Sequence, residues 1–406
     1  MRSKNILFVT SVRVESMDQT GIYHDVLRDF RKKGHNVFVI SPSERRYKLK
    51  TKLKKSGGVK ILNVKTLNHQ RVNRVEKVFS LLTMEYLYLR AIKKYFSGVK
   101  FDIIVYTTPP ITLAKVVKYV KGISGAFAYL LLKDIFPQNA VDLQLIKKMG
   151  LTHKFFLKKE RELYEISNKI GCMSKANYEY LIRNNPELDV DKIEINPNTI
   201  DARDFAEFNL QRDKIRSKYF LPADKKILVY GGNLGQPQGL EFLLETIQDT
   251  SRSDVFFLIA GSGTEYIKIF EWFKINQPQN AKLVEYLPKQ QYEEMLSSCD
   301  VGLIFLSPRF TFPNYPSRLL SYLEMKLPVI AATDINTDIG DDIEKYKCGF
   351  SVTSGNTREM QRAISKLTSD DELYEKMQRN GHAFLLEKFN VNITTTRILD
   401  SVVTNQ

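Results

Sequence analysis

Three stretches in the second half of the chain put glycines and small polar residues where an anionic ligand would need them. The first is Gly231-Gly232-Asn233-Leu234-Gly235-Gln236-Pro237-Gln238-Gly239, directly after the apolar run from Lys226 to Tyr230. Glycines behind a strand let the backbone turn sharply and approach a ligand closely. The helix expected from Leu240 to Ile247 would aim its positive end at a phosphate. The spacing is not that of the dinucleotide fingerprint, and such a turn also serves folding alone. The second stretch, Ala260-Gly261-Ser262-Gly263, repeats the pattern after Phe257-Leu258-Ile259. The third, Pro313-Asn314-Tyr315-Pro316-Ser317-Arg318, opens a helix that runs to Glu324 ahead of a strand around Val329. Pro316 and Ser317 are good helix-start residues. An arginine in the first turn works against the helix dipole unless an anion neutralises it. Arg318 is therefore the cation expected to stabilise charge on a bound phosphate.

In the first half, Lys133-Asp134-Ile135-Phe136-Pro137 follows the apolar run Ala126–Leu132. A carboxylate at the end of such a strand can orient a hydroxyl or take its proton. Asp134 reads equally as an Asx-type turn cap. Gln19-Thr20-Gly21-Ile22 opens the first helix, in which His24 is a polar helix residue. Asp189-Val190-Asp191 mimics a metal-binding pair but sits in a charged turn. Cys172, Cys299 and Cys348 are isolated, as buried reduced thiols would be. No Cys/His cluster has metal spacing, and neither a metal nor a cofactor is expected.

These residues need elements to hold them. Ile6–Val9, a helix from Ile22 to Lys33 stopped by Gly34, and a strand from Asn36 to Ser41 make a β-loop-α-β unit. Further strands are expected near 60–64, 103–106, 126–132, 169–173 and 193–196, with helices at 77–96 and 112–120. Arg45 to Gly58 reads as a charged loop or frayed helix. The alternation pauses over a helical stretch within Asp201–Phe220, then restarts with strands near 226–231, 255–260, 281–284, 301–305, 329–332 and 349–352. A chain of 406 residues is long for one core. The expected fold class is α/β, with two Rossmann-like doubly wound domains, 1–200 and 201–388, facing a central cleft. Residues 389–406 would form a closing helix.

Charge divides the chain. Residues 1–200 hold 37 Lys and Arg against 18 Asp and Glu, a net of +19, whereas residues 201–406 net −4. The excess clusters at Arg45–Lys55, at Lys147-Lys148 and from Lys154 to Arg161. Such patches suit an anionic membrane surface or nucleic acid, or are simply solvated. No zinc finger, helix-turn-helix or RNP-like motif accompanies them, so nucleic acid is not expected. No apolar run approaches the ~20 residues of a membrane span. Met1–Asn5 leads straight into a strand without room for a signal peptide, and a cytoplasmic location is expected.

The co-linear order of these segments is more specific than any one of them. The glycine loop, the Ala-Gly-Ser-Gly turn, Tyr286-Leu287-Pro288, Leu296-Ser297-Ser298-Cys299-Asp300-Val301-Gly302 and the Pro-Ser-Arg helix together resemble the GT-B glycosyltransferases. More narrowly, they resemble the family-4-type retaining enzymes of bacterial polysaccharide assembly. Gly34-His35-Asn36-Val37 and Asn196-Pro197-Asn198-Thr199-Ile200-Asp201 resemble two further motifs of that group, and Phe389–Val403 resembles its closing helix, which crosses back to the first domain. The resemblance implies a transferase moving a sugar, an N-acetylated amino sugar or a deoxy sugar, from a UDP-sugar to a polyprenyl-diphosphate-linked saccharide. Capsule or O-antigen assembly at the inner membrane face is implied, with configuration retained and no metal required. Donor-binding residues would be Gly21, Gly232, Asn233, Gly235, Gln236, Gly261, Gly263, Leu287, Asn314, Tyr315, Pro316, Ser317 and Ser321. Asp134, Arg318 and Glu324 would be catalytic.

The chain also departs from that group. Pro313 and Ser321 occupy the positions of its Glu-x7-Glu pair, and Glu324, on nearly the same helix face, is the substitute expected to reach the ribose. Asn233 and Gln238 stand where Arg and Lys usually hold the diphosphate, which leaves that charge to Arg318. A sugar-nucleotide 2-epimerase of the same fold and a non-catalytic nucleotide-binding protein are the alternative readings.

Overall fold

The computed structural model describes residues 2–69, 72, 74–205 and 211–404. The chain divides into two compact units, Met1–Asp201 with Val391–Gln406, and Ala202–Asn390.

The first unit is built on an eight-stranded sheet: β1 (Asn5–Val9), β2 (Asn36–Glu44), β3 (Lys52–Ser56), β4 (Val59–Thr66), β5 (Ile103–Thr107), β6 (Phe127–Leu132), β7 (Lys169–Cys172) and β8 (Ile193–Ile195). The order is β3-β4-β2-β1-β5-β6-β7-β8, parallel except for the β3–β4 pair. Both faces are covered, which is why the central strands read as unbroken apolar runs. Leu7 and Val9 face a core that includes Met84, Tyr88 and Ile92 of the helix Arg74–Tyr95. Ile6 and Phe8 face the opposite core, with Val26, Leu27 and Phe30 of the helix Ile22–Lys32. Ile398, Leu399 and Val402 of the helix Val391–Val403 complete that second core. The chain entering this last helix is pinned beside the Asn196–Asp201 segment: Val391 N donates to Ile200 O at 2.9 Å and Thr394 Oγ1 to Asn196 Oδ1 at 2.8 Å.

The stretch from Arg45 to Gly58 is not the loop or frayed helix its charge suggests. After a single 3-10 turn, Arg45–Tyr47, it forms edge strand β3, paired antiparallel with β4 in register Ser56↔Val59. Gly57 and Gly58, both at positive φ, make the two-residue hairpin turn. Lysines on an edge strand protect it from further pairing, and they hide the strand period from a hydropathy reading.

The second unit is a six-stranded, wholly parallel sheet: β9 (Lys226–Asn233), β10 (Val255–Ser262), β11 (Ala281–Val284), β12 (Val301–Phe305), β13 (Val329–Thr333) and β14 (Gly349–Thr353). Its order, β11-β10-β9-β12-β13-β14, is that of a dinucleotide-type fold, with the direction of winding reversing between β9 and β12. Of the helical stretch expected within Asp201–Phe220, the helix Arg212–Lys218 is seen, and 206–210 lie outside the described residues.

Candidate active site

The glycine loop after β9 lies at the carboxyl end of that strand, where open α/β sheets bind ligands. β9 and β10 run in register to their ends, with Gly232 opposite Gly261 and Asn233 opposite Ser262. A Cβ on Gly261 would fall 1.9 Å from the Gly232 carbonyl oxygen, and one on Gly263 2.2 Å from that of Leu234. Both glycines thus have a packing role whatever else they do. Together the two strand ends form one wall of a depression of about 400 Å³, through Gly232, Asn233, Ala260, Gly261 and Ser262. The opposite wall is Tyr286, Leu287, Lys289 and Tyr292, from the loop after β11 and the helix Lys289–Leu296.

Arg318 heads the helix Arg318–Glu324 and lies close beneath the glycine strand end. Its Nη2 is 3.8 Å from where a Cβ on Gly232 would be and donates to Gln238 Oε1. Its guanidinium carbon sits 4.2 Å from the centre of the Tyr230 ring. Its Nη1 is enclosed without a hydrogen-bond partner. A buried guanidinium nitrogen left unpaired is costly, although Arg318 itself is not among the residues that line the depression. Tyr322 holds this helix in place: Gly231 N donates to its hydroxyl at 3.0 Å, which donates to Leu303 O at 3.1 Å. Burial pushes the phenols of Tyr230, Tyr292 and Tyr322 upward, so all three remain neutral beside the cation.

The structure brings Gly232, Asn233, Gly261 and Leu287 together around the depression, with Arg318 beneath Gly232. Gly235 and the exposed Gln236 belong to the turn behind it, where the Gly235 carbonyl accepts from Gln238 N at 3.0 Å. Five other expected donor residues take part in local structure. The Tyr315 hydroxyl donates to Asp342 Oδ2 at 2.8 Å, with its ring close to Phe389. The Asn314 carbonyl accepts from Thr337 Oγ1 at 2.6 Å. The carbonyls of Pro316 and Ser317 accept the amides of Leu319 and Leu320, and Ser317 makes no side-chain cap bond. Ser321 does not line the depression; its carbonyl accepts from Met325 N.

Glu324 is placed elsewhere than expected. Its Oε1 accepts from Arg203 N at 3.0 Å and its Oε2 from Arg203 Nη2 at 3.2 Å. Arg203 also grips Glu293, with bonds of 2.6 and 3.0 Å. Glu324 lines a different depression, with Arg203, Lys326 and His382. Burial raises its carboxyl above the usual range, against the pull of Arg203. The helix ends at Glu324, so its side chain meets the chain entering the second unit rather than the glycine loop.

In the first unit, Gly21 caps the helix Ile22–Lys32, its carbonyl accepting Asp25 N at 2.9 Å. Asp134 follows β6, and both its carboxylate oxygens accept from Asn139 Nδ2 at 3.1 Å. Its neighbour Lys133 was not singled out by the sequence. The Lys133 ammonium donates to Asn196 O at 2.9 Å, and burial pushes its pKa down to about 7. Lys289, Tyr286 and Tyr292 were missed as well. The only signal for Lys289 is Pro288, which places it first in its helix; there its Nζ lies 3.5 Å from the Glu293 carboxylate.

Residues 211–384 match the family model of glycosyl transferases group 1. The chain is 26% identical over 137 residues to the putative colanic acid biosynthesis glycosyl transferase WcaI of Escherichia coli (strain K12), covering 33% of each chain. It is 20% identical over 279 residues to the probable glycosyltransferase WbjE of Pseudomonas aeruginosa, covering 66% of this chain and 67% of that protein. The match thus spans a third of the first of these relatives and two thirds of the second. The crystal structure of Anabaena HepE in complex with UDP-glucose superposes with a TM-score of 0.70 at 12% identity, covering 99% of this chain and all of that one. Residues 211–384 are therefore a glycosyl transferases group 1 domain, in a chain with the two-sheet α/β fold of GT-B glycosyltransferases.

Proposed function

We propose that this protein transfers a sugar from a UDP-sugar to a hydroxyl of a polyprenyl-diphosphate-linked saccharide, with retention of configuration, in bacterial surface-polysaccharide assembly. The observation that carries the reading is Arg318: a half-buried arginine with one enclosed, unpaired nitrogen, held beneath the glycine strand end of a group 1 domain. When the sugar leaves, negative charge builds on the diphosphate, and a cation fixed in advance stabilises it without reorganising. In this reading Arg318, with Lys289 at the depression, supplies the charge that Asn233 and Gln238 lack, and no metal ion is needed. The apolar and aromatic wall of Tyr286, Leu287 and Tyr292 suits a nucleoside. UDP is favoured because HepE, similar in fold, was solved with UDP-glucose. A surface-polysaccharide product is favoured by the likeness to WcaI. The net charge of +19 in residues 1–200 suits the acceptor's diphosphate and an anionic membrane surface, which would place the enzyme at the inner face of the membrane.

One observation favours a second reading. Pro313 and Ser321 leave the expected carboxylate pair empty, and Glu324 is occupied by Arg203, as in a protein that binds nucleotide without turning it over. Incubating the protein with a panel of UDP-sugars, with and without undecaprenyl-diphosphate-linked acceptors, separates these readings. Release of UDP and a lengthened glycolipid are expected only when both substrates are present. Conversion of the donor alone indicates an epimerase. UDP binding without any product across the panel supports the non-catalytic reading.

A further inference from the structure

The helix Arg74–Tyr95 is apolar on two opposite sides, and only one of them is used. Met84, Tyr88, Ala91 and Ile92 point into the core of the first unit. A second row, Val78, Phe79, Leu82 and Tyr86, recurs at three- and four-residue spacing about half a turn away and stands in solvent, with Phe79 60% and Tyr86 64% exposed. A helix that is apolar all round is ordinarily buried all round. A contiguous exposed row of this kind marks an interaction surface.

Charge identifies the partner. Arg90 and Lys93 are exposed and continue the same face toward the end of the helix. At its start, Arg45 from the basic segment after β2 pairs with Glu76 at 3.6 Å. The helix Ala114–Ser124 packs against Arg74–Tyr95, with Lys115 N donating to Glu85 at 2.7 Å, and on the other side of Ala114–Ser124 packs the helix Leu151–Ile166, whose Lys159 and Glu162 still act electrostatically on Glu85. The first turns of that helix and the residues just before it repeat the composition: Leu151 is 88% exposed and Phe155 43%, among the exposed Lys147, Lys148, Lys154 and Lys158. Exposed aromatic and aliphatic side chains among cations fit an interface that is anionic outside and apolar just beneath, which is a phospholipid bilayer. No helix among the described residues is long and apolar enough to cross one.

We infer that the exposed face of the helix Arg74–Tyr95, with the segment from Lys147 to Lys158, docks the first unit on an anionic membrane by inserting Phe79, Leu82 and Tyr86 among the lipid chains. This rests on the membrane-facing acceptor reading above and specifies the surface that serves it. Lysines alone would give binding that salt abolishes; the inserted row makes part of the binding resistant to salt.

The test is co-sedimentation of the full chain with phosphatidylglycerol-containing and pure phosphatidylcholine vesicles, at low and high salt. The expected result is binding to the anionic vesicles, a fraction of it surviving high salt. Phe79→Glu with Tyr86→Glu should weaken it at least tenfold, and Lys147→Glu with Lys148→Glu should remove the salt-sensitive part. Circular dichroism and a UDP-induced rise in melting temperature report that both variants are folded with their nucleotide site intact. Wild-type protein left in the supernatant overturns the inference, as does Phe79→Glu with Tyr86→Glu binding like wild type. A concentration-dependent dimer lost in that variant, without vesicle binding, assigns the face to a second copy and likewise overturns it. Vesicle binding without any UDP effect upholds the docking face and contradicts the donor-site reading instead.

Discussion

Arg318 is half-buried and forms no ion pair with a carboxylate among the described residues. It stacks on a neutral tyrosine, gives one nitrogen to a neutral amide and leaves another enclosed and unpaired. Its planar fork can bind two oxygens of a diphosphate at once, which a lysine cannot reproduce. Arg318→Lys is therefore expected to bind UDP about three- to tenfold more weakly than wild type, with Arg318→Ala weaker still. Equal affinity of the lysine variant and wild type in calorimetry would mean that charge alone is being read. The sequence singled out Arg318 because a cation in the first turn of a helix opposes the dipole, a purely local rule. Lys289 and Tyr292 were not, because nothing near them in sequence announces that the loop after β11 folds back toward the end of β9. Glu324 misled for a related reason. Helical periodicity gives the face of a residue, but the last residue of a helix is claimed by whatever chain passes its end, here Arg203.

At the scale of elements, the site depends on two helices, one lining the depression and one setting Arg318 under Gly232, that are tied to each other through Arg203. Lys289–Leu296 brings Lys289 and Tyr292, and Arg318–Glu324 brings Arg318. Arg203 joins Glu293 of the one to Glu324 of the other. Removing it leaves two largely buried carboxylates facing each other. With allowance for the partial exposure of the arginine, Arg203→Ala should cost about 1–3 kcal/mol. It should also weaken UDP binding without touching the ligand, whereas Arg203→Lys should recover part of both. Thermal unfolding and UDP titration read the two effects; full UDP affinity in a destabilised Arg203→Ala protein would show that the clamp serves stability alone. Most strands were legible from their apolar runs because parallel sheets bury both faces. The β3 strand was not, since only Leu53 among its lysines packs inward.

At the scale of the whole molecule, the chain leaves the first unit at Asp201 and returns at Val391, so its last helix belongs to the sheet built first. Val391, Ile398, Leu399 and Val402 are buried against β1 and the first helix. Truncation after Asn390 is expected to expose that core and lower the melting temperature by several degrees or more, with loss of solubility. An unchanged melting temperature in the truncated chain would contradict this packing. The alternation of elements made the two α/β sheets legible from sequence. The antiparallel edge, and the unpartnered row on the helix Arg74–Tyr95, became visible only once the core had claimed one of two apolar sides.

The donor site is tested most directly by isothermal titration of the purified 406-residue chain and its Arg318→Ala variant with UDP, ADP and GDP at fixed salt. Saturable binding of UDP, much weaker binding of ADP and GDP, and at least a tenfold loss of UDP affinity in Arg318→Ala are predicted. Wild-type protein that binds none of the three, or an Arg318→Ala variant that binds UDP as tightly as wild type, would contradict it.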